Sequence, residues 1–248
     1  MLGMTQMARR GRLQARPSLV NRPAPLGLQS LSDAGLTGGY VYVPASYECG
    51  EGAPALLLLQ GSGGHAHYGL EMLQQLAEET GLILIAPASA DYTWDVILSR
   101  FGEDVSAVER TLRHVFATYH IDASRLAVGG FSDGAAFALL LGLANGDLFG
   151  HIIAFSPCVV TLDWAIGQPR VFVSHGTRDE LAPASCTKQI LAQLERMDLD
   201  VEYTEFEGGH RIPPQIARHA IEWLTAADES AREPCLSRSA ENRPPREG

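Results

Sequence analysis

Residues 125–141 read R-L-A-V-G-G-F-S-D-G-A-A-F-A-L-L-L, and this stretch decides the fold. Its first part, Leu126–Val128, is short and apolar, which predicts a buried strand. Its second part is rich in alanine and leucine and lacks proline, which predicts a helix. Between them, Gly130–Gly134 matches the G-x-S-x-G pattern, in which a serine occupies a tight turn from strand to helix. Ser132 is therefore the candidate nucleophile.

The two glycines of this motif have a steric explanation. The turn brings strand and helix so close that side chains two residues before and after Ser132 would collide, and Gly130 and Gly134 have none. The amides at the start of the helix would face the point where negative charge develops on an attacked carbonyl. A Ser-Asp pair can also be a plain helix N-cap, so motifs elsewhere in the chain are needed to distinguish a nucleophile from a cap.

Length and composition limit the class of protein. The chain has 248 residues, of which 46% are hydrophobic and 19% charged, enough for one sizeable globular domain. A formal net charge of −10 argues against nucleic acid or an anionic membrane as the main partner. No apolar run approaches the roughly 18–20 residues that cross a bilayer. The sequence leaves open whether the chain forms a homodimer.

The cysteines are scattered and contain no C-x-x-C pair. They are Cys49, Cys158, Cys186 and Cys235. This spacing predicts neither a metal site nor a disulfide framework. Together with the absence of an apolar leader, it predicts a cytoplasmic location.

Apolar runs alternate with helical patterns along the chain. Strands are expected at Gly39–Pro44, Ala55–Leu59, Leu82–Ala86, Leu126–Val128, His151–Phe155, Val171–Ser174 and Val201–Phe206. Helices are expected at about 68–80, 103–119, after Ser132, at 185–197 and at 215–226. This alternation predicts an α/β fold with a mainly parallel central sheet covered by helices on both faces. Functional groups should then lie on loops at the carboxyl ends of the strands.

Composition changes at both ends of the chain. Residues 1–36 are rich in Arg, Pro and Ser with weak periodicity, which predicts a mobile arm with at most one edge strand. Residues 228–248 contain few apolar side chains, which predicts disorder. Residues 37–227 are thus the single expected catalytic domain.

Two later loops carry the groups that a nucleophilic serine needs, namely a base and an acid that orients it. The sequence H-G-T-R-D-E follows the strand at Val171–Ser174 and offers Asp179 as the acid. The sequence E-G-G-H follows the last strand and offers His210 as the base. The order Ser132, Asp179, His210 is that of α/β-hydrolases. Glu180, the neighbour of Asp179, stays open as a substitute acid.

The glycine-rich loop Gln60–Gly64 (Q-G-S-G-G) follows the strand at Ala55–Leu59. It matches neither the Walker loop nor the dinucleotide-binding fingerprint. In an acyl-transfer site the backbone N–H of Ser62 would donate to the developing oxyanion, and the N–H of Asp133 would be the other donor.

Several other residues are candidates for the surroundings of the site. Tyr92 and Trp94 could line a pocket, although packing on the core is an equal alternative. Cys158 follows a strand end and is a third candidate lining residue. His175 lies at the end of another strand, and we interpret it as a structural hydrogen-bonding residue. The loop at 159–168 is too short for a large lid, which favours small or exposed substrates.

Five motifs together carry a resemblance to a known family. They are Q-G-S-G-G, G-F-S-D-G-A, A-F-S-P, H-G-T-R-D-E-L-A-P and G-G-H. Over residues 39–227 the chain resembles α/β-hydrolases of the phospholipase/carboxylesterase group, with kinship to feruloyl-esterase-like and dienelactone-hydrolase-like proteins. One departure is that relatives usually begin the oxyanion loop with His-Gly, where this chain has Gln60 and Gly61.

The resemblance implies a cofactor-independent serine carboxylesterase, and the short loop at 159–168 favours small or exposed carboxylic esters as its substrates. It implies a catalytic triad of Ser132, Asp179 and His210, with an acyl-enzyme on the serine. A thioesterase or an acyl-peptide-type hydrolase on the same triad remains an alternative. A non-catalytic binding protein with the same fold is a third reading.

Overall fold

The computed structural model describes residues 11–36, 38–95, 102–158 and 160–226. The strands in these ranges are β1 (Gly27–Ser30), β2 (Gly39–Val43), β3 (Ala53–Leu59), β4 (Ile83–Pro87), β5 (Ile121–Phe131), β6 (His151–Phe155), β7 (Arg170–Gly176) and β8 (Val201–Phe206). The helices are α1 (Ala66–Thr80), α2 (Glu103–Thr118), α3 (Asp133–Ala144), α4 (Ala184–Arg196) and α5 (Pro214–Thr225). The predicted alternation of strands and helices is confirmed, with bounds shifted by a few residues.

All eight strands form one sheet in the order β1-β2-β4-β3-β5-β6-β7-β8. Strand β2 runs antiparallel to both of its neighbours, and every other pairing is parallel. Alternate residues of β3 enter two separate hydrophobic clusters: Leu57 and Leu59 pack with α2 and α3 residues, while Leu56 and Leu58 pack with those of α1 and α5. The predicted mainly parallel sheet with helices on both faces is therefore confirmed.

The helix that follows Ser132 is buried on nearly all sides. Every residue of α3 except Asp133 and Leu140 is buried. This explains its sequence of Ala, Leu, Phe and Gly, because a helix that faces the core all round needs no polar stripe. Its residue Gly142 lies so close to Ile152 and Val128 that a Cβ there would come within 2.9 Å of both side chains. The helix is thus seated directly on the centre of the sheet.

The N-terminal segment lies against the domain, whereas the sequence predicts a mobile arm. Leu13 is fully buried. The Leu13 N–H donates to Asn145 Oδ1 over 2.8 Å, and Asn145 Nδ2 donates to the carbonyl of Gly11 over 2.8 Å. The Arg12 guanidinium meets both carboxylate oxygens of Asp147 at 2.6 and 2.9 Å. One buried amide at the end of α3 thus gives the segment backbone partners, which composition does not reveal.

The structure includes one strand near the N-terminus, but it does not describe the two extreme ends of the chain. Strand β1 pairs with β2 at the edge of the sheet, as the predicted edge strand would. Three segments lie outside the described residues: residues 1–10, the whole of the predicted disordered tail at 228–248, and residues 96–101 of the predicted loop at 89–101.

A disulfide joins Cys158 and Cys186, a pairing that the cysteine spacing did not predict. Cys158 follows β6, and Cys186 lies in the first turn of α4, which follows β7. Because β6 and β7 are neighbours, the two Cα atoms approach to 5.0 Å across 28 residues of sequence. Disulfides are rare in the cytosol, so this bond weakens the argument from cysteine spacing, and the cytoplasmic location stays a prediction. None of the described helices is both long and apolar enough to span a membrane.

The docking of the N-terminal segment predicts that Asn145→Ala is strongly destabilising. The substitution leaves the buried Leu13 N–H without an acceptor, which should lower the free energy of unfolding by about 2 kcal/mol. Asn21→Ala is the matched control, because Asn21 is exposed. Urea denaturation of both variants measures the effect. Equal stability of the two variants would show that the segment is not docked.

Candidate active site

Ser132 sits on a strained turn between β5 and α3. Its backbone has φ 55° and ψ −120°, a conformation that residues other than glycine rarely adopt. Its N–H donates to the carbonyl of Phe155 on β6 over 2.9 Å, which holds the turn against the sheet. A Cβ added to Gly130 would lie 2.4 Å from the carbonyl of Gly134, and one added to Gly134 would lie 2.1 Å from the carbonyl oxygen of Leu59. The predicted steric reason for both glycines is confirmed.

Asp179 and His210 form a hydrogen-bonded pair at the same edge of the sheet. Asp179 follows β7 and His210 follows β8, and these strands are parallel neighbours. His210 Nδ1 lies 2.7 Å from Asp179 Oδ2. Since an ionised carboxylate only accepts hydrogen bonds, Nδ1 carries the proton of a neutral imidazole and Nε2 is left as the acceptor.

The Asp179 carboxylate is buried and held by the backbone of its own loop. Its Oδ1 accepts the N–H groups of Leu181 and Ala182 at 3.0 and 2.8 Å. Burial alone would raise the pKa of Asp179, but the hydrogen bonds from Ala182 and His210 outweigh it and hold the pKa below its usual range. The carboxylate is therefore ionised at neutral pH.

The alternative residues near the pair have other surroundings. Glu180 is exposed and forms no ion pair among the described residues. His175 is fully buried, with Nδ1 2.6 Å from Thr187 Oγ1 and Nε2 2.7 Å from the carbonyl of Ala182. The interpretation of His175 as a structural hydrogen-bonding residue is confirmed. In the part of the chain that the structure describes, no group of three His, Cys, Asp or Glu side chains could hold a metal ion.

His210 contacts the residue that precedes Ser132 in the chain. The Phe131 ring lies 4.6 Å from the His210 ring, centroid to centroid, and Phe131 directly precedes Ser132. Within the described residues the Ser132 hydroxyl and His210 form no hydrogen bond. Bonds of this kind often tighten only when a substrate binds.

The loop 60–64 lies beside Ser132, as predicted. A Cβ added to Gly61 would lie 3.3 Å from the Cβ of Ser132. The backbone N–H of Gly63 donates to the carbonyl of Tyr92 over 2.8 Å. By contrast, the N–H groups of Ser62 and Asp133 donate to no acceptor among the described residues.

An apolar cavity of about 380 Å³ opens between loop 60–64, α1 and the loop that carries His210. Its apolar lining comprises Leu58, Leu59, Ala66, Tyr68, Met72, Phe131 and Ile212. Tyr68 and Met72 were missed from the sequence, although their position in the helix directly after loop 60–64 could have indicated them. A cavity of this kind beside titratable groups is the usual form of a small-molecule site.

The three residues predicted to line a pocket lie outside this cavity. Trp94 is fully buried and packs on Phe137, and its Nε1 donates to the carbonyl of Gln60 over 2.7 Å. Tyr92 is 71% exposed and lies over Gly63. Cys158 is bonded to Cys186. The alternative interpretation of the aromatic residues, packing on the core, is the correct one for Trp94.

Comparisons with known proteins agree with this architecture. The profile of the family described as Phospholipase/Carboxylesterase matches residues 95–227, just over half of the chain. The chain is 30% identical over 160 residues to Acyl-protein thioesterase 1 of Eremothecium gossypii, covering 57% of this chain and 65% of that protein. It is 32% identical over 148 residues to Feruloyl esterase B of Talaromyces funiculosus, covering 56% and 41% respectively. The matches therefore span less than two thirds of these two relatives.

Solved structures show the same fold. The crystal structure of esterase PE8 has a TM-score of 0.63 and 21% identity, and the match covers 80% of this chain and 98% of that one. The S-formylglutathione hydrolase FrmB of Staphylococcus aureus has a TM-score of 0.64 and 16% identity, with coverage of 84% and 100%. The predicted α/β-hydrolase fold is confirmed.

The geometry of the serine turn predicts that Gly134→Ala damages the fold. The new methyl group would press on the carbonyl oxygens of Leu59 and Gln60, at 2.1 and 2.4 Å, and backbone cannot move aside cheaply. We expect the free energy of unfolding to fall by about 3 kcal/mol, at the upper end of overpacking effects. Gly150→Ala is the control, because a Cβ there would meet its nearest atom at 3.6 Å. Thermal denaturation of both variants compares them, and equal midpoints would contradict the steric explanation.

Proposed function

Because the chain belongs to the phospholipase/carboxylesterase family, we propose that it hydrolyses carboxylic esters through an acyl-enzyme on Ser132. The observation that carries the proposal is the His210–Asp179 pair, which lies against Phe131 beside the strained turn that presents Ser132. A serine on such a turn, a histidine within reach and a carboxylate behind it are the three parts of nucleophilic acyl transfer.

The proposed chemistry begins with attack of Ser132 Oγ on the ester carbonyl carbon. Its proton passes to His210 Nε2, which is free to accept because Nδ1–H is engaged by Asp179. His210 then gives that proton to the alcohol oxygen as the carbon–oxygen bond breaks. A water molecule, deprotonated by His210, attacks the acyl carbon; the bond to Ser132 Oγ breaks, the acid leaves, and His210 returns the proton to Oγ. Asp179 stabilises the imidazolium without taking the proton itself.

The negative charge on the attacked oxygen would be bound by two backbone amides. These are the N–H groups of Ser62 and Asp133, both of which lack another acceptor among the described residues. Asp133 is the first residue of α3, so the positive end of the helix dipole adds to the field at this point. Loss of one such donor typically costs about 3–4 kcal/mol of transition-state stabilisation.

The apolar cavity supports an ester with an apolar part of small or medium size. Its lining is mostly apolar, and its polar residues besides Ser62 and His210 include Gln60, His65 and Arg211, so selection would rest mainly on shape and apolar area. A thioester is the second candidate, favoured by the similarity to an acyl-protein thioesterase. The same residues can attack either carbonyl. Rates on matched butyryl esters, thioesters and amides would separate the two candidates.

The proposal predicts that Ser132→Ala abolishes both ester hydrolysis and labelling by a fluorophosphonate probe. The probe reacts only with an activated serine, so it also tests the non-catalytic reading. Ser46→Ala is the control, since Ser46 is exposed on a turn after β2. Activity on p-nitrophenyl butyrate and gel-based labelling are the measurements. Wild-type protein that folds but neither reacts with the probe nor hydrolyses esters would disprove the proposed function.

The acid assignment predicts that Asp179→Asn cuts turnover by roughly 10⁴-fold, because the amide would favour the wrong His210 tautomer. Glu180→Gln should be close to wild type, since Glu180 is exposed while Asp179 is the partner of His210. Both variants are compared on one ester at neutral pH, with circular dichroism to check folding. If Glu180→Gln lost most of its turnover while Asp179→Asn kept nearly all of it, the acid would be wrongly assigned.

A further inference from the structure

The two residues whose amides would bind the oxyanion are also joined through their side chains. Ser62 Oγ donates to Asp133 Oδ2. Thr93 Oγ1 donates to the same carboxylate oxygen over 2.8 Å. One carboxylate therefore connects three separate segments: the serine turn, loop 60–64 after β3, and the loop after β4.

We propose that Asp133 is a positioning residue, whose carboxylate fixes the Ser62 amide relative to its own and so sets the spacing of the two oxyanion donors. The inference rests on the proposed function, because it assigns these amides to the oxyanion. It concerns the Asp133 side chain, to which the acyl-transfer chemistry gives no task. We refer to the Ser62, Thr93 and Asp133 side chains together as the carboxylate clamp.

The composition of loop 60–64 shows why a clamp is needed. Three of its five residues are glycine, so without bonds to its neighbours the loop backbone could adopt many conformations. Gly63 has φ +63°, and a Cβ there would lie 2.7 Å from the ring of Tyr92, so glycine is required at that position. A loop that must contain flexible residues depends on side-chain bonds to hold its amides ready for a developing charge.

The loop after β4 supports the clamp from its other side. In this loop, the carbonyl of Tyr92 accepts the N–H of Gly63. Trp94 Nε1 donates to the carbonyl of Gln60 over 2.7 Å. Gln60 donates from Nε2 to Ser89 Oγ over 3.2 Å. Loop 60–64 is thus bonded at Gln60, Ser62 and Gly63, while the Ser62 amide donates to no acceptor among the described residues.

The supporting loop is in turn anchored to α2. Asp104 is 1% exposed and accepts the N–H groups of Ala90 and Asp95 at 2.9 and 2.6 Å. A buried carboxylate on a helix is a rigid acceptor, so the position of Thr93 is fixed by bonds on both sides of it. The clamp is therefore attached to the sheet through two helices, α2 and α3.

A carboxylate beside the developing oxyanion would repel it, so the negative charge of Asp133 must be offset. Asp133 Oδ2 accepts two hydroxyl hydrogens, and the carboxylate sits at the positive end of α3. Both features offset its charge. A role as the orienting acid is excluded by geometry, since His210 Nδ1 is already bonded to Asp179.

Kinetics on an ester of p-nitrophenol tests the clamp. Ser62→Ala keeps the backbone amide and removes only the hydroxyl, so kcat should fall about 10-fold or more while KM changes less than about twofold, the pattern of a lost transition-state interaction. Asp133→Ala should have a similar effect. Asp133→Asn should recover much of the loss, because an amide oxygen can accept both hydroxyls. The double variant Ser62→Ala/Asp133→Ala should be no worse than the more impaired single one.

The chain offers a closely matched control for the lost serine–carboxylate bond. Ser124 Oγ donates to Asp122 over 2.7 Å near the opposite end of β5. Ser124→Ala therefore removes the same kind of bond far from Ser132, and kcat should stay at the wild-type value. Thr93→Val, which changes shape little, removes the second hydroxyl and should lower kcat by less than Ser62→Ala does.

A measurement that does not depend on turnover separates this inference from the proposed function. Hydrogen exchange of the peptide covering residues 60–64 should be faster in Asp133→Ala and Ser62→Ala than in wild type and in Ser124→Ala. If wild type is labelled by the fluorophosphonate but Ser62→Ala keeps both its kcat and its exchange rate, only the clamp is overturned. A rise in KM at constant kcat would overturn it too. Unreactive wild-type protein would overturn the proposed function, and with it the catalytic role of the clamp.

Discussion

The close approach of two backbone segments, the end of β3 and the first turn of α3, is the constraint on which the structure depends. Gly134 lies against the carbonyls of Leu59 and Gln60 with no room for a Cβ. This contact forces the chain to turn sharply at Ser132 and to accept a positive φ there. It also places the loop that follows β3 directly beside the serine. The strain at one residue is balanced by the burial of the central strands and of α3.

The sheet and the loops divide the work between them. The parallel strands β3, β5, β7 and β8 all end at one edge, so residues far apart in sequence arrive within a few ångströms of each other. The loops then need only short bonds to reach their final positions. Asp179 is held by amides of its own loop, and loop 60–64 is held by side chains of its neighbours. The rigid strands thus bring the site loops together, and hydrogen bonds fix the final positions of those loops.

Buried polar residues hold several segments in place, and composition alone does not reveal this role. Asn145 holds the N-terminal segment, His175 and Thr187 support the loop that carries Asp179, and Asp104 anchors the loop after β4. Each is buried and each is bonded, as the cost of an unpaired polar group requires. In the sequence, nothing beside these residues marks which distant groups they bind.

The sequence by itself determined the order of strands and helices, the parallel character of the sheet, the serine turn with its two glycines, and the candidates Asp179 and His210. These follow from local patterns, because an apolar run, a helical period or a glycine flanking a serine acts through near neighbours. Only the tertiary structure decided that Cys158 meets Cys186, that Trp94 belongs to the core, that residues 11–26 are docked, and that Ser62 bonds to Asp133. Each of these is a contact between distant segments, and it exists only once the strand order has brought two loops or chain ends together.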